Sequence, residues 1–236
     1  MREAGIQQTD GSPVISPRRQ PRQGGYPRGH ETRERIIQAA FVVFADEGYV
    51  GASTRRIASA AGVNTPALRY YFDSKEGLHR ACGQFIVDSV MRELKPALER
   101  ATIALAGDRQ DAVEGLCYLL ETLAETAIPT AYSDKSSRFI ARCDADRVGP
   151  ASGMVEEGIV GPVHAAAARL VARALGRDPG AADVRLRTVM IMCELTAVHG
   201  RRDQTLAFIG WNSFSTENIG IVKQAFSEHV RRLLAF

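Results

Sequence analysis

Residues 53–75, STRRIASAAGVNTPALRYYFDSK, constrain the fold of this chain more than any other segment. Ser53 and Asn64 each precede a helix-forming stretch, and their side chains can accept a backbone N–H at a helix start. Gly62 lies between the two stretches, where glycine permits the left-handed conformation of a tight turn. Pro66 suits the first turn of a helix. The segment therefore predicts two short helices joined by a tight turn.

The second of these helices has an unusual solvent side. Leu68 and Phe72 are its buried candidates, and the opposite side carries Thr65, Arg69, Tyr70 and Tyr71. A short helix gains little stability from exposing an arginine and two tyrosines. These side chains indicate a helix-turn-helix whose second helix enters a DNA major groove.

Residues 32–54 read TRERIIQAAFVVFADEGYVGAST, and RRIASAAGVNTPALRYYFDSKEGL follows them. This signature resembles the DNA-binding region of the TetR/AcrR family of bacterial transcriptional regulators. The remainder is similar to the effector domain of the CecR-like subgroup, through RFIAR, a long helix ending in LGR and a late GW. The resemblance implies an all-α fold, in which a three-helix DNA-binding domain precedes a helical effector-binding and dimerisation domain.

The resemblance also implies a role for individual residues. Backbone contacts of the family match Thr54, Arg69, Tyr71 and Lys75, while base-facing positions match Arg55, Thr65, Pro66, Ala67 and Tyr70. The family most often has tyrosine where this chain has Arg69, and histidine where it has Tyr71. Chemistry alone supports part of this assignment, because arginine and lysine hold phosphates and arginine can donate two bonds to guanine.

Net charge, cysteine spacing and the distribution of apolar residues limit which kinds of site and which cellular location we expect. The 236 residues carry a net charge of +3, so DNA binding must depend on a local basic face. The four cysteines show no metal-ligand spacing, and we expect reduced thiols and neither a metal nor a cofactor. The chain lacks an apolar run long enough to span a membrane and the apolar region of a secretion signal. We therefore expect a cytoplasmic protein.

The predicted organisation has three parts: residues 1–29, 30–77 and 78–236. The first part mixes proline, glycine and arginine without an apolar period, which predicts a flexible basic tail. It is either an arm that contacts DNA or a solubilising leader, and the sequence alone favours the leader. The second part is the DNA-binding domain, and the third binds an effector and dimerises.

Several helices are expected in the third part. Residues 154–175 form a long helix with a kink or break at Pro162, and residues 200–215 form a connecting loop. The last two helices, 182–199 and 217–234, are the expected homodimer surface. The final helix carries a long apolar stripe, consisting of Ile221, Val222, Ala225, Phe226, Val230 and Leu233.

An effector pocket is expected among these helices, because such pockets are mostly apolar with a few placed polar groups. Methionine adapts to variable ligand shapes. The predicted lining is Tyr118, Phe139, Met154 and Met192, with Arg138 or Arg142 near the mouth. Each polar side chain has an alternative role as an exposed or ion-paired residue.

Other classes of function have less support. A serine nucleophile elbow, a P-loop and a dinucleotide glycine motif are all missing, so the sequence gives no basis for an enzyme. A pure interaction module would not explain the arginines and tyrosines of residues 53–75. We predict a ligand-responsive repressor that binds an inverted repeat as a homodimer and is released by a small molecule. Activation instead of repression stays open.

Overall fold

The computed structural model describes residues 27–128 and 134–234, and within these residues it contains helices and no strands. The prediction of an all-α fold is confirmed. The helices, in chain order, are α1 (Pro27–Gly51), α2 (Thr54–Ala60), α3 (Thr65–Phe72), α4 (Lys75–Ala104), α5 (Arg109–Ala127), α6 (Asp134–Asp146), α7 (Gly161–Leu175), α8 (Ala182–Gly200), α9 (Arg202–Ile209) and α10 (Thr216–Leu234).

The buried side chains form two clusters. The N-terminal core joins α1, α2, α3 and the first half of α4, and Ile36, Ile57 and Leu68 have no exposed surface in it. The C-terminal core joins the second half of α4 to α5, α7, α8 and α10, around residues such as Leu116 and Leu170. The helix α4 contributes to both cores and is the covalent link between them.

Helix α6 belongs to the N-terminal core, although it lies far along the chain. Phe139 of α6 is 2% exposed. Its ring centroid lies 5.3 Å from that of Phe41 and 6.1 Å from that of Phe44, both on α1. The predicted boundary at residue 78 stays a prediction, but the predicted DNA-binding helices share their core with a helix of the predicted effector domain.

A buried histidine fixes the loop that follows α6. Nδ1 of His79 on α4 accepts a hydrogen bond of 3.0 Å from the backbone N–H of Ala151. Nε2 lies 3.7 Å from Sγ of Cys143. Burial, with a smaller contribution from the charge of Lys75, lowers the pKa of His79 from 6.5 to about 4. The imidazole is therefore a neutral structural group near pH 7.

One expectation for the third part needs correction. Residues 202–209 form α9 instead of a loop, because Leu206 packs against the C-terminal core and Arg202 donates a 2.6 Å hydrogen bond to the carbonyl of Ile128. The helix expected over 154–175 is present: Met154 and Val155 are α-helical, Glu156–Val160 form a π-helical turn, and α7 follows with Pro162 in its first turn. Residues 1–26 of the predicted tail lie outside the described residues, and residues 27–29 already belong to α1.

Candidate nucleic-acid interface

Local capping sets the geometry of the predicted helix-turn-helix. Ser53 Oγ accepts the backbone N–H of Arg56 at 3.2 Å and begins α2. Asn64 Oδ1 accepts the N–H of Ala67 at 2.8 Å and begins α3. Gly62, between the two helices, has φ of 63°, a left-handed conformation that favours glycine. The sequence thus encodes this unit through contacts three residues apart.

The underside of α3 is packed and its outer side is open. Leu68 has no exposed surface and Phe72 is 6% exposed, both in the N-terminal core. Tyr70 is 83% exposed, and its ring meets that of Tyr71 edge-on with centroids 5.2 Å apart. The ring and hydroxyl of Tyr70 are therefore accessible to a partner on the outer side of α3.

All nine residues of the predicted DNA-binding set lie on α2, α3 or the start of α4. Arg55, Pro66, Arg69 and Tyr70 are exposed. The remaining members are half-buried: Thr54, Thr65, Ala67, Tyr71 and Lys75. The exposed members include Arg55 and Tyr70, which were expected to face bases, and their individual contacts stay predictions.

Lys75 has a role that the sequence did not reveal. Its ammonium group donates to the backbone carbonyls of Tyr49 at 2.9 Å, Ala52 at 3.1 Å and Val50 at 3.4 Å. It also lies 4.7 Å from the centroid of the Tyr49 ring. The three donors of a lysine ammonium are therefore directed at the turn formed by residues 49–52, which follows the non-helical Gly48. No local pattern could have indicated these contacts, because the partners are 23 to 26 residues away.

Two further contacts stabilise the junction between the end of α1 and the starts of α2 and α4. The Tyr49 hydroxyl donates to the Glu76 carboxylate at 2.8 Å. The backbone N–H of Glu76 and, to a smaller extent, this hydroxyl lower the pKa of the Glu76 carboxyl group. Arg56 of α2 forms an ion pair with Glu47 of α1. These contacts fix the end of α1 against the starts of α2 and α4, and so fix the orientation of α3.

The six predicted effector residues divide between the two cores. Phe139 lies in the N-terminal core, with Met154 packed against it. Met192 lies in the C-terminal core, with Tyr118 packed against it. Arg138 forms an ion pair with Asp46, and Nε of Arg142 lies 2.7 Å from the Asp146 carboxylate. These pairs match the alternative, ion-paired role of the arginines, while effector contact stays a prediction.

Two of the cavities have linings that differ from the predicted effector set. A cavity of about 530 Å³ lies between the end of α6 and the π-helical turn, and its wall includes Asp144, Arg147 and Glu156. A second, of about 270 Å³, is lined by Arg109, Arg177 and Arg187 with two apolar residues. Neither lining contains a member of the predicted effector set.

Metal and membrane sites were also considered over the described ranges, 27–128 and 134–234. In these residues no three histidine, cysteine or acidic side chains are grouped as a metal site would require. None of the helices in the same ranges combines the length and hydrophobicity needed to cross a bilayer.

Two protein-family models match the chain. The model of bacterial regulatory proteins of the tetR family matches residues 36–82. The model of the C-terminal domain of the HTH-type transcriptional dual regulator CecR matches residues 112–235, more than half of the chain. The first match contains α2 and α3, and the second contains the predicted dimerisation helices.

Relatives agree with these matches. The chain is 29% identical to the HTH-type transcriptional dual regulator CecR of Shigella flexneri over 88% of this chain and 93% of that protein. It is 38% identical to the HTH-type transcriptional activator FasR of Mycolicibacterium smegmatis, over 34% of this chain and 38% of that protein.

Solved structures show the same fold. A transcriptional regulator from Pseudomonas aeruginosa PAO1 aligns with a TM-score of 0.58 at 19% identity, over 86% of this chain and 91% of that one. A regulator from Rhodococcus sp. Rha1 aligns with a TM-score of 0.56 at 16% identity, over 85% and 96%. The chain belongs to the TetR family of bacterial regulatory proteins, as a DNA-binding transcriptional regulator whose C-terminal domain is of the CecR type.

Proposed function

We propose that this regulator is a cytoplasmic repressor that binds an inverted-repeat operator as a homodimer and is released by a small-molecule effector. The observation that carries the proposal is the exposed face of α3. Arg69 and Tyr70 are exposed on one side of this helix, and Leu68 and Phe72 are buried on the other. One such helix contacts only a few base pairs, which is too little for specificity in a genome. Two copies related by a twofold axis double the contacts and require an inverted repeat.

The apolar surface of the C-terminal part supports a second copy of the chain as the partner. Leu186, Val189 and Met190 on α8 are 61%, 49% and 56% exposed, and Ile221 on α10 is 51% exposed. Phe208 on α9 is 93% exposed. Leu186, Val189 and Met190 are three and four positions apart, so they share one face of α8. A twofold axis beside this face would bring the same face of a second copy against it.

Only part of the predicted apolar stripe on α10 is exposed and available for the proposed dimer interface. Val222, Phe226 and Val230 are buried inside the same chain, in the C-terminal core. Ile221 and Ala225 are exposed on the other side of the helix. The proposed interface therefore combines one side of α10 with α8 and includes α9.

Helix α6 supports the effector part of the proposal. It carries Arg138, Phe139 and Arg142 of the predicted effector set, and it packs on α1 in the N-terminal core. A ligand that moves α6 would move α1 and thereby α3. Linkage requires that DNA weaken the binding of such a ligand by the same factor.

The test uses DNA fragments that the purified full chain retains from genomic DNA. We expect a recurring inverted repeat in the retained fragments, salt-sensitive binding to it, and weaker binding to a scrambled duplex. Sedimentation should give two chains per duplex. Retention without any sequence preference, or a single chain per duplex, would contradict the proposal.

Repression and release need their own measurements. The Shigella relative is a dual regulator and the Mycolicibacterium relative an activator, so a reporter downstream of the retained fragment must decide the direction. With a releasing compound in hand, Arg142→Ala should change the concentration required for release and leave DNA affinity nearly intact. If the variant lost its response to the compound and its DNA affinity to the same extent, Arg142 would have only a structural role, in its ion pair with Asp146.

A further inference from the structure

We infer that the cavity of about 530 Å³ between the end of α6 and the π-helical turn is the effector site. Its ligand is a small amphoteric molecule, one that carries both an ammonium group and a carboxylate or phosphate group. The inference rests on the proposed function and names the chemical class of its effector. The volume lies in the range of ligand pockets, about 300–1,000 Å³, and the lining differs from the predicted effector set.

The cavity brings together charged side chains of both signs. Asp144 and Arg147, at the end of α6, and Glu156, in the π-helical turn, line it, and all three are exposed. In the part of the chain that the structure describes, none of the three forms an ion pair. Arg142 on the same helix does form one, with Asp146. Two carboxylates and one guanidinium group are therefore open to a ligand in the same cavity.

The chemical class of the ligand follows from these groups. A guanidinium group binds a carboxylate or a phosphate through two parallel hydrogen bonds, and carboxylates accept hydrogen bonds from an ammonium group. A simple anion would meet the carboxylates of Asp144 and Glu156, and a simple cation would leave Arg147 without a partner. Val155 and Val160 add an apolar part to the wall. A molecule with both charges matches the whole lining.

The backbone of the cavity wall has two unusual features. Arg147 has φ of 49°, a left-handed conformation that is uncommon for a residue other than glycine. Conformations of this kind cost stability and are concentrated at ligand clamps and switch regions. The opposite wall is the π-helical turn, Glu156–Val160, and such turns within helices are frequent at functional sites. Both features are therefore typical of a binding site.

The loop that joins α6 to the π-helical turn contacts the DNA-binding part directly. A Cβ atom on Gly149 would stand 2.7 Å from Cγ of Tyr49 and 2.9 Å from Cε1 of His79, so the loop backbone lies against these two rings. The backbone N–H of Ala151 donates to His79 at 3.0 Å. The Tyr49 ring also lies 4.7 Å from the ammonium nitrogen of Lys75. A ligand that moves this loop would therefore displace the junction that orients α3.

The first measurement is thermal unfolding of the full chain without DNA. The probes are the common amino acids, dipeptides and amino-sugar phosphates at millimolar concentration, beside amines and carboxylic acids of matched carbon skeleton. A compound that binds only the folded state raises the unfolding temperature.

Two variants remove charge from the cavity, Arg147→Asn and Glu156→Gln. Asparagine tolerates the left-handed conformation, so the first variant should keep the loop intact. Arg92→Gln and Glu93→Gln are the matched controls, since both residues are exposed on α4 and neither belongs to the lining.

At least one amphoteric probe should raise the unfolding temperature of the wild-type chain and of both controls. The shift should be lost in Arg147→Asn and Glu156→Gln, and the matched amine and acid should give a smaller shift. The same probe should weaken binding of the wild-type chain to the retained fragment by about fivefold or more.

Two results would overturn the site: no shift with any probe, or a shift that persists in both cavity variants. A probe that binds in the cavity and leaves DNA affinity unchanged would overturn its role as the effector site. The proposed function fails on a different result, namely no sequence preference for the retained fragments in the absence of any probe.

Discussion

The ammonium nitrogen of Lys75 lies 2.9 Å from the backbone carbonyl oxygen of Tyr49, so the first residue of α4 binds the turn that follows the break of α1 at Gly48. Gly48 has φ of 70° and ψ of 170°, which is not helical, and the ammonium group also donates to the carbonyls of Val50 and Ala52 beyond it. Hydrogen bonds from a charged donor are stronger than those between neutral groups. The contacts between residues 49–52 and the start of α4 also orient α3. Lys75 therefore both stabilises the fold and belongs to the predicted DNA-binding set.

Lys75→Met should lower the free energy of unfolding by about 1–3 kcal/mol, because hydrogen bonds from a charged donor to several carbonyls are lost. Urea unfolding at a fixed protein concentration measures the change. The matched control is Lys95→Met, whose ammonium makes only a surface pair with Glu99 at 3.9 Å. An unchanged unfolding midpoint, combined with a flatter salt dependence of DNA binding, would make Lys75 a phosphate contact alone.

Tyr70→Ala and Arg55→Ala should each reduce discrimination between the retained fragment and a scrambled duplex by about 1–3 kcal/mol. Both side chains are exposed, so the unfolding free energy should hardly change. Competition binding at one salt concentration measures the discrimination. Arg92→Ala on α4 is the control, and a loss of discrimination as large in that variant would remove the base-contact assignment.

Leu186→Asp on α8 should convert the proposed homodimer to a monomer, because the proposed interface would bury an unpaired carboxylate. The side chain is 61% exposed within one chain, so the fold of the protomer should persist. Sedimentation equilibrium gives the mass, and circular dichroism checks the fold. Ile103→Asp, at a 74% exposed position near the end of α4, should leave the mass unchanged. A dimeric Leu186→Asp protein would move the interface elsewhere.

Gly48→Ala should destabilise the protein more than Gly62→Ala. Gly62 has φ of 63°, and an alanine in a left-handed conformation costs roughly 1–2 kcal/mol. Gly48 has φ of 70° and ψ of 170°, a region restricted almost entirely to glycine, where another residue costs about 1–3 kcal/mol. A Cβ on Gly62 meets nothing within 4 Å, whereas a Cβ on Gly48 would lie 3.0 Å from both Nη2 of Arg142 and Oδ2 of Asp146. The excess loss for Gly48 in urea unfolding therefore reports its backbone conformation together with its contact with α6. Equal losses would contradict both contributions.

His79 should make the fold sensitive to mild acid. Its pKa is near 6.5 in the unfolded chain and about 4 in the fold, so the unfolded state takes up the proton first. The stability it contributes is complete above pH 6.5 and is lost as pH falls towards 4, by up to roughly 3 kcal/mol. His79→Asn should flatten the unfolding free energy against pH in this window. A wild-type profile as flat as that of the variant would refute the assignment.

The sequence determined the helix-turn-helix almost completely. The caps at Ser53 and Asn64, the turn at Gly62 and the buried face of Leu68 and Phe72 all depend on residues three or four positions apart. Interactions between residues so close in the chain can be predicted from the sequence pattern alone. The same local logic predicted the outward face of α3, since whatever is not needed for packing stays exposed.

The tertiary structure alone decided which distant elements share a core. Phe139 packs with Phe41 in the N-terminal core, and Lys75 donates to the carbonyl of Tyr49 across 26 positions of sequence. The apolar period of α10 predicted a stripe. Only the packing shows that Phe226 is buried in the core of its own chain while Ile221 stays exposed to solvent. A period indicates that a helix face is apolar, but it does not identify the surface that covers it. That choice depends on how complete helices fill space together, which no short segment encodes.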